Sequence, residues 1–361
     1  MTFTLPLLAR MRGEQDLAPL LAWAAEHRAG AAPARLHGGG LAAVAAGMSH
    51  AAAAHLRLRP LLELTCRNLA AWVDAQTAPR NLTSPQYDVV SGMAGVVLAV
   101  AAAADTEPAA AAVLASAQRW LLERCDPHLH GLRHGPHEPV AAAAWNAGRF
   151  NHGLAHGVPG VLAALLAAHD RVPPLRDRNM EAIGRLARHL HRASFTDDRG
   201  VLTWARSDAD EGRHGHRQAW CYGTPGVAWQ LARAGAVLGD SGLTEYAVAA
   251  MRSLCAVWDD GAYLDPDPPE QRYAFCHGIP GTMAVAGLFA AHHGLAEAAR
   301  LHEHLRDRLL EGRRQLPADP TFLAGGGGAA VLLQPASPVP WQLLAALPVP
   351  LGPPSPAEHA S

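Results

Sequence analysis

The amino-acid sequence predicts an all-α protein of repeated helix pairs, closed into an α/α toroid. Three observations lead there. Pairs of glycines recur along the chain, ending at Gly40, Gly95, Gly160, Gly226, Gly281 and Gly328, with separations of 55, 65, 66, 55 and 47 residues. Each pair is followed by an apolar, mostly Ala-rich run, and in the clearest units an amphipathic run comes next. No stretch shows the period-two alternation of a strand bounded by hairpin turns. A unit of this length holds two helices and two loops, which is the mark of a repeat architecture. A helix that is apolar all round is buried all round, and an amphipathic one lies at the surface. The units therefore read as inner helix, then outer helix. Inner helices cover one another by stacking in a line or by closing into a ring, and we infer the ring. A ring gathers the glycine turns at one end.

The elements follow in order. The first sixty residues are Ala-rich and carry the first turn, Gly38 to Gly40, without a clear helical period around it. Gly92 and Gly95 open the apolar run from Met93 to Ala104, well short of the ~20 residues that cross a bilayer. Gly157-Val158-Pro159-Gly160 opens the apolar run to Ala168, and its partner helix sets Ile183, Leu186 and Leu190 opposite Arg185 and Arg188. Gly223-Thr224-Pro225-Gly226 and Gly278-Ile279-Pro280-Gly281 open the next two, and Leu301, Leu305 and Leu309 line the helix after the second of them. Proline just inside a helix start presets φ and gives up a donor that has no partner there. Gly325 to Gly328 open the last run. For the turns at Gly40, Gly95 and Gly328 the glycines read as helix starts only. One toroid domain is expected over residues 1–347, with a Pro-rich tail over 348–361.

Composition excludes several classes. The chain has 361 residues, 49% hydrophobic and 17% charged, with a formal net charge of -2. That is ample for a core and lacks the basic footprint of a nucleic-acid binder. The five cysteines are odd in number and irregular in spacing, and no secretory signal stands out. A reduced, cytoplasmic protein is expected, its thiols either ligands or buried hydrophobes. Cys66, Cys125 and Cys255 read as the latter.

Two cysteines stand apart. Cys221 and Cys276 each lie just ahead of a Gly-x-Pro-Gly turn, and His277 follows the second. Two thiolates and one imidazole are a known ligand set for a catalytic zinc that keeps one position open. A structural site would need a fourth protein ligand, for which His214, His216 and the run His128, His130, His134 and His137 are on hand. That run sits in a Gly- and Pro-containing loop and reads as solvated, and His152 as a structural hydrogen-bonder. Asp88 and His156 precede the second and third turns, and Arg217 stands four residues before Cys221. The steps from Asp88 to His156, His156 to Cys221 and Cys221 to Cys276 are 68, 65 and 55 residues, each about one unit. If the turns converge, these six residues face one cavity.

The chain resembles the lanthionine synthetase C-like cyclases, which close thioether rings in lanthipeptides. The resemblance runs from the second glycine turn to Trp341-Gln342-Leu343-Leu344. Its specific elements are Arg217-Gln218-Ala219-Trp220-Cys221-Tyr222-Gly223-Thr224-Pro225-Gly226 and Cys276-His277-Gly278, with Gly153-Leu154-Ala155-His156-Gly157 in support. It implies a toroid of seven helix pairs, one more than the glycine turns mark. It implies one zinc ion on Cys221, Cys276 and His277, lined by Asp88, His156 and Arg217. The substrate implied is a dehydrated, Cys-containing precursor peptide, with a dehydratase as a candidate partner; the chain itself shows no dehydratase segment. In that reaction His156 is the candidate acid at the substrate α-carbon, or first accepts the thiol proton. Asp88 orients that imidazole or serves as a base; Arg217 stabilises the enolate oxygen or neutralises Asp88. Tyr222 ranks below these. Two other classes are weighed: a zinc protein that binds thiols or Cys peptides without cyclising them, with a thiol-addition enzyme as its variant, and an α/α-barrel sugar hydrolase. The hydrolase needs paired carboxylates, and none stand at equivalent positions.

Overall fold

The computed structural model describes residues 3–14, 16–27, 34–76, 82–136, 145–208, 217–266, 268–335 and 337–349. The helices are α1 (Thr4–Arg12), α2 (Ala18–His27), α3 (Leu41–Ala54), α4 (Arg59–Asp74), α5 (Ser84–Tyr87), α6 (Met93–Ala101), α7 (Pro108–Leu122), α8 (Val158–Ala168) and α9 (Arg176–Ala193). They continue as α10 (Thr224–Leu238), α11 (Ser241–Ala256), α12 (Asp260–Tyr263), α13 (Ile279–His293), α14 (Ala296–Glu311) and α15 (Gly327–Leu332).

The architecture is the expected α/α toroid. Helix α1 packs on α3, and the contacts run on through α6, α8, α10, α13 and α15 back to α1. Among the described residues seven inner helices thus close the ring. Six follow the glycine turns; the seventh is α1, which has no glycine turn ahead of it. Phe3, at its N-terminal end, packs against Phe322 and His37, so α1 runs in the same direction as its neighbours. Helices α4, α7, α9, α11 and α14 cover the outside. The layers divide as the pattern predicts: every residue of α6 and of α8 is buried, whereas α14 buries only Ala298, Leu301, Leu305 and Leu309.

One expectation is corrected. A short antiparallel hairpin joins β1 (Ser194–Thr196) to β2 (Leu202–Trp204). Three residues a strand are too few to leave a readable alternation in the sequence. Trp204 is buried and donates its indole N–H to the Leu190 carbonyl at 2.6 Å, which pins the hairpin to α9.

Five of the six glycine turns need bare backbone; in the first, Gly38 and Gly39 have open space and take a positive φ instead. At Gly95, Gly160, Gly226, Gly281 and Gly328 an added Cβ would lie under 3.0 Å from the carbonyl oxygen six residues earlier. The glycines at Gly95 and Gly328, expected as helix starts only, therefore obey the same close approach as those beside the cysteines. Gly223 adds a positive φ of 84°, which an L side chain adopts only with strain. Backbone bonds then stitch turn to turn: His37 N–H to Val90 O at 3.0 Å, Val89 N–H to Ala155 O at 3.1 Å, Leu154 N–H to Cys221 O at 2.7 Å and Cys276 N–H to Leu323 O at 3.0 Å. Across the remaining gaps lie aromatic rings, Trp220 on Phe275 and Phe322 on Phe3, and Phe275 on Phe322 links the two contacts.

After α15 the chain turns inward. Residues Trp341–Ala345 form a 3-10 turn that packs on α6, while Trp341 also reaches Phe275 on the other side of the ring. Leu343, Leu344, Ala345, Ala346 and Leu347 are all buried. The Pro348 carbonyl accepts from the Trp229 indole at 3.1 Å, so the first residue of the expected tail belongs to this packed segment. Residues 350–361 of that tail lie outside the described residues.

Candidate metal centre

The metal set expected from the sequence comes together at the turn end of the ring. Cys221 stands two residues before the α10 turn, and Cys276 and His277 directly before the α13 turn. Their three donor atoms all lie within 4.8 Å of one another, and Cys221 Sγ is 3.0 Å from His277 Nδ1. A tetrahedral zinc with bonds of about 2.3 Å to sulfur and about 2.0–2.1 Å to nitrogen spaces its donors by roughly 3.5–3.8 Å. The trio spans that spacing, and the Cys221–His277 contact needs a proton that a cation would displace. The residues fit one divalent ion with a position to spare. Among the described residues no other three His, Cys, Asp or Glu side chains converge in this way.

The thiols sort by environment. Burial pushes Cys66, Cys125 and Cys255 up to about 12, where they stay protonated and inert. Cys66 and Cys125 are fully buried and Cys255 is half-buried. Burial acts on Cys221 in the same direction. There it is overcome by hydrogen bonds from Cys276 and His277 and by the positive fields of His277 and Arg217, so the thiol falls below its ordinary range. Arg217 is exposed on the loop ahead of Cys221, close enough for its charge to be felt there.

His156 and Asp88 form a pair. His156 Nδ1 lies 2.6 Å from Asp88 Oδ2, with the imidazole 40% exposed and the carboxylate 2%. Asp88 Oδ1 accepts the backbone N–H groups of Ser91 and Gly92 at 2.6 and 3.0 Å. Both oxygens are thus engaged, one by the start of α6 and one by the imidazole. The carboxylate takes the Nδ1 proton as its bond, which leaves His156 Nε2 as the nitrogen that exchanges protons. The helix-start role and the orienting role read for Asp88 in the sequence coexist on its two oxygens.

Two residues about the pair were not singled out as site residues from the sequence. Tyr87 is buried, donates to the His156 carbonyl at 3.0 Å and bonds His134 Nε2 at 2.8 Å. Asn151 donates to the Tyr222 hydroxyl at 3.2 Å. Adjacency to Asp88 was the one signal for Tyr87. His134 corrects the reading of its run as solvated: it is 3% exposed, whereas His128 and His130 are at the surface. His137, His214 and His216 lie outside the described residues. His152 is buried and bonds His189 Nε2 at 3.1 Å, a structural contact. Tyr222 packs its ring on Gly153, and burial holds its phenol above the ordinary tyrosine range, so it stays protonated.

Fold and site together define a class: an α/α toroid with a Cys-Cys-His cluster and a His-Asp pair at the mouth of its inner ring. The family model for "Lanthionine synthetase C-like protein" matches residues 35–311, and the chain belongs to that family. A solved structure titled "Nisin cyclase" superposes with a TM-score of 0.74 at 17% identity, covering 96% of this chain and 90% of that one. At that identity the likeness is one of fold, and it is the same toroid. No helix among the described residues is long and apolar enough to cross a membrane.

Proposed function

We propose that the protein is a zinc-dependent lanthipeptide cyclase. It adds the cysteine thiolate of a dehydrated precursor peptide to dehydroalanine or dehydrobutyrine, forming lanthionine or methyllanthionine. The observation that carries this reading is the meeting, at one end of the ring, of a three-donor cluster and an oriented imidazole.

Cys221, Cys276 and His277 Nδ1 would hold the zinc, which, when bound, makes a substrate thiol ionise near neutral pH. Two protein thiolates balance the charge of the ion, and the neutral imidazole adds none. In the addition, sulfur bonds the β-carbon, the C=C π pair moves onto the adjoining amide as an enolate, and a proton closes the α-carbon. His156 Nε2 handles that proton, taking it from the thiol and returning it to carbon, so atoms and charge balance. Asp88 keeps the imidazole in the tautomer that frees Nε2. The Arg217 cation lowers the energy of the enolate oxygen. Tyr222, a protonated phenol beside the cluster, keeps a donor on this face. The partner implied is the dehydrated precursor peptide, whose dehydroalanine and dehydrobutyrine arise by loss of water from Ser and Thr on a dehydratase that acts before this step.

A peptide with one dehydroalanine and one cysteine tests the reading. Loss of the free thiol without a change in mass supports cyclisation. Peptide that binds with its thiol intact makes the protein a thiol-binding module, and no binding at all refutes both.

A further inference from the structure

The four carbonyls presented by the C-terminal segment are each captured by a side chain of the inner ring. His37 Nε2 donates to Leu344 O at 3.0 Å, Trp220 Nε1 to Ala345 O at 2.7 Å, Gln230 Nε2 to Ala346 O at 2.9 Å and Trp229 Nε1 to Pro348 O at 3.1 Å. Three of the donors belong to α10 and the turn ahead of it and the fourth, His37, to the turn ahead of α3; all four residues are buried. A buried donor left unpaired loses its bond to water without a replacement, so each of these bonds holds the segment in place. The segment is therefore a seated peptide rather than loose chain.

Its seat touches the metal centre through two aromatic residues. Trp220 immediately precedes Cys221, and Phe275 immediately precedes Cys276. Trp220 is held by Ala345 on one side and lies edge-on to Phe275, with centroids 5.8 Å apart; Phe275 in turn lies edge-on to Trp341 at 6.3 Å. Between the fourth and fifth turns this aromatic contact and the Cys221–His277 contact stand where other neighbouring turns have a backbone bond.

We propose that the segment Trp341–Val349 is a positioning element of the metal centre, seated along the ring axis so that Trp220 and Phe275 hold Cys221 and Cys276 at donor spacing. This rests on the zinc reading above. It assigns this segment a role in the site although none of its residues supplies a ligand.

Zinc affinity by chelator competition and the thiolate charge-transfer bands of the cobalt-substituted protein test it. Trp220→Phe removes the indole donor to Ala345 and keeps a ring; at least a 10-fold loss of zinc affinity and a shifted cobalt band are expected. Trp204→Phe removes an equally buried indole bond, to Leu190, that has no part in the segment, and both readouts should stay within 2-fold of the unaltered protein. A chain ending at Pro340 should lose affinity as Trp220→Phe does, and a synthetic peptide of residues 339–349 added in trans should restore it. Full affinity with an unchanged spectrum in Trp220→Phe, or an equal loss in Trp204→Phe, overturns the proposal. If the shortened chain does not fold, the two point variants decide alone. An unaltered protein that binds no zinc defeats the zinc reading and this inference together, whereas zinc binding indifferent to Trp220 defeats this inference only.

Discussion

Individual side chains carry the chemistry, and their roles separate by which measurement each one moves. Cys276→Ala should lose the stoichiometric metal, because two donors without the third no longer close around an ion; zinc retained at one per chain would contradict the ligand set. His156→Ala should keep the metal and lose roughly 10²–10⁴-fold in cyclisation, the usual weight of a positioned acid or base. Asp88→Asn sharpens the point. The amide oxygen can still accept from Ser91 and Gly92, but its NH2 group would donate to His156 Nδ1 and hold the proton on Nε2. Stability should change little and the rate should fall by about 10² or more. An unchanged rate would show that the tautomer does not matter.

At the scale of the elements, the turns and not the helices set the geometry. Any run of Ala, Val and Leu satisfies a buried inner helix, yet only glycine admits the carbonyl that presses on the turns at Gly95, Gly160, Gly226, Gly281 and Gly328. Gly226→Ala would push a methyl group into Trp220 O and the Leu154 side chain. The expected cost is about 1–3 kcal/mol, the range for overpacking, read as a lower denaturation midpoint. Because Trp220 adjoins Cys221, metal affinity should drop with it. Gly239→Ala, at a positive φ of 68° but with open space around it, should be milder and leave the metal alone. The alternation of helices was legible for a plain reason: six of the seven inner helices announce themselves by paired glycines. Helix α1 escaped because it packs into the ring without such a turn, and the hairpin escaped because it is short.

For the whole molecule, closure and proton uptake are the two global properties. Phe3 joins the first helix to the last glycine turn through Phe322 and is fully buried. Phe3→Ala should cost about 3–5 kcal/mol, as for other buried aromatic truncations, far more than expected of a terminal residue without such packing. Acid should also loosen the ring. Burial pushes His37 and His50 down to about 3, the Leu344 bond on His37 opposing and the Arg10 guanidinium beside His50 assisting. In the unfolded chain both titrate near 6.5. The unfolded state therefore binds protons first as pH falls, and stability declines from about pH 6.5 down to about pH 3, by about 1.4 kcal/mol per pH unit for each histidine. Thermal unfolding at pH 7.5, 6 and 5 checks this, and His50→Gln should flatten the slope.

What the sequence determined by itself was periodic and local: the paired glycines, the inner and outer helix patterns, and the unit-long steps from Asp88 to His156, Cys221 and Cys276. These survive in one dimension because five units repeat the same short-range demand for bare backbone ahead of a buried helix. Tertiary structure alone decided which nitrogen of His156 faces Asp88, how Tyr87 and His134 brace that histidine, that α1 completes the ring, and that the segment Trp341–Val349 packs inside it. Those depend on side chains brought together across spans of up to some three hundred residues, as His37 is to Leu344. No local pattern encodes such a meeting, because the partner is chosen by the shape of the cavity that every other unit has already built.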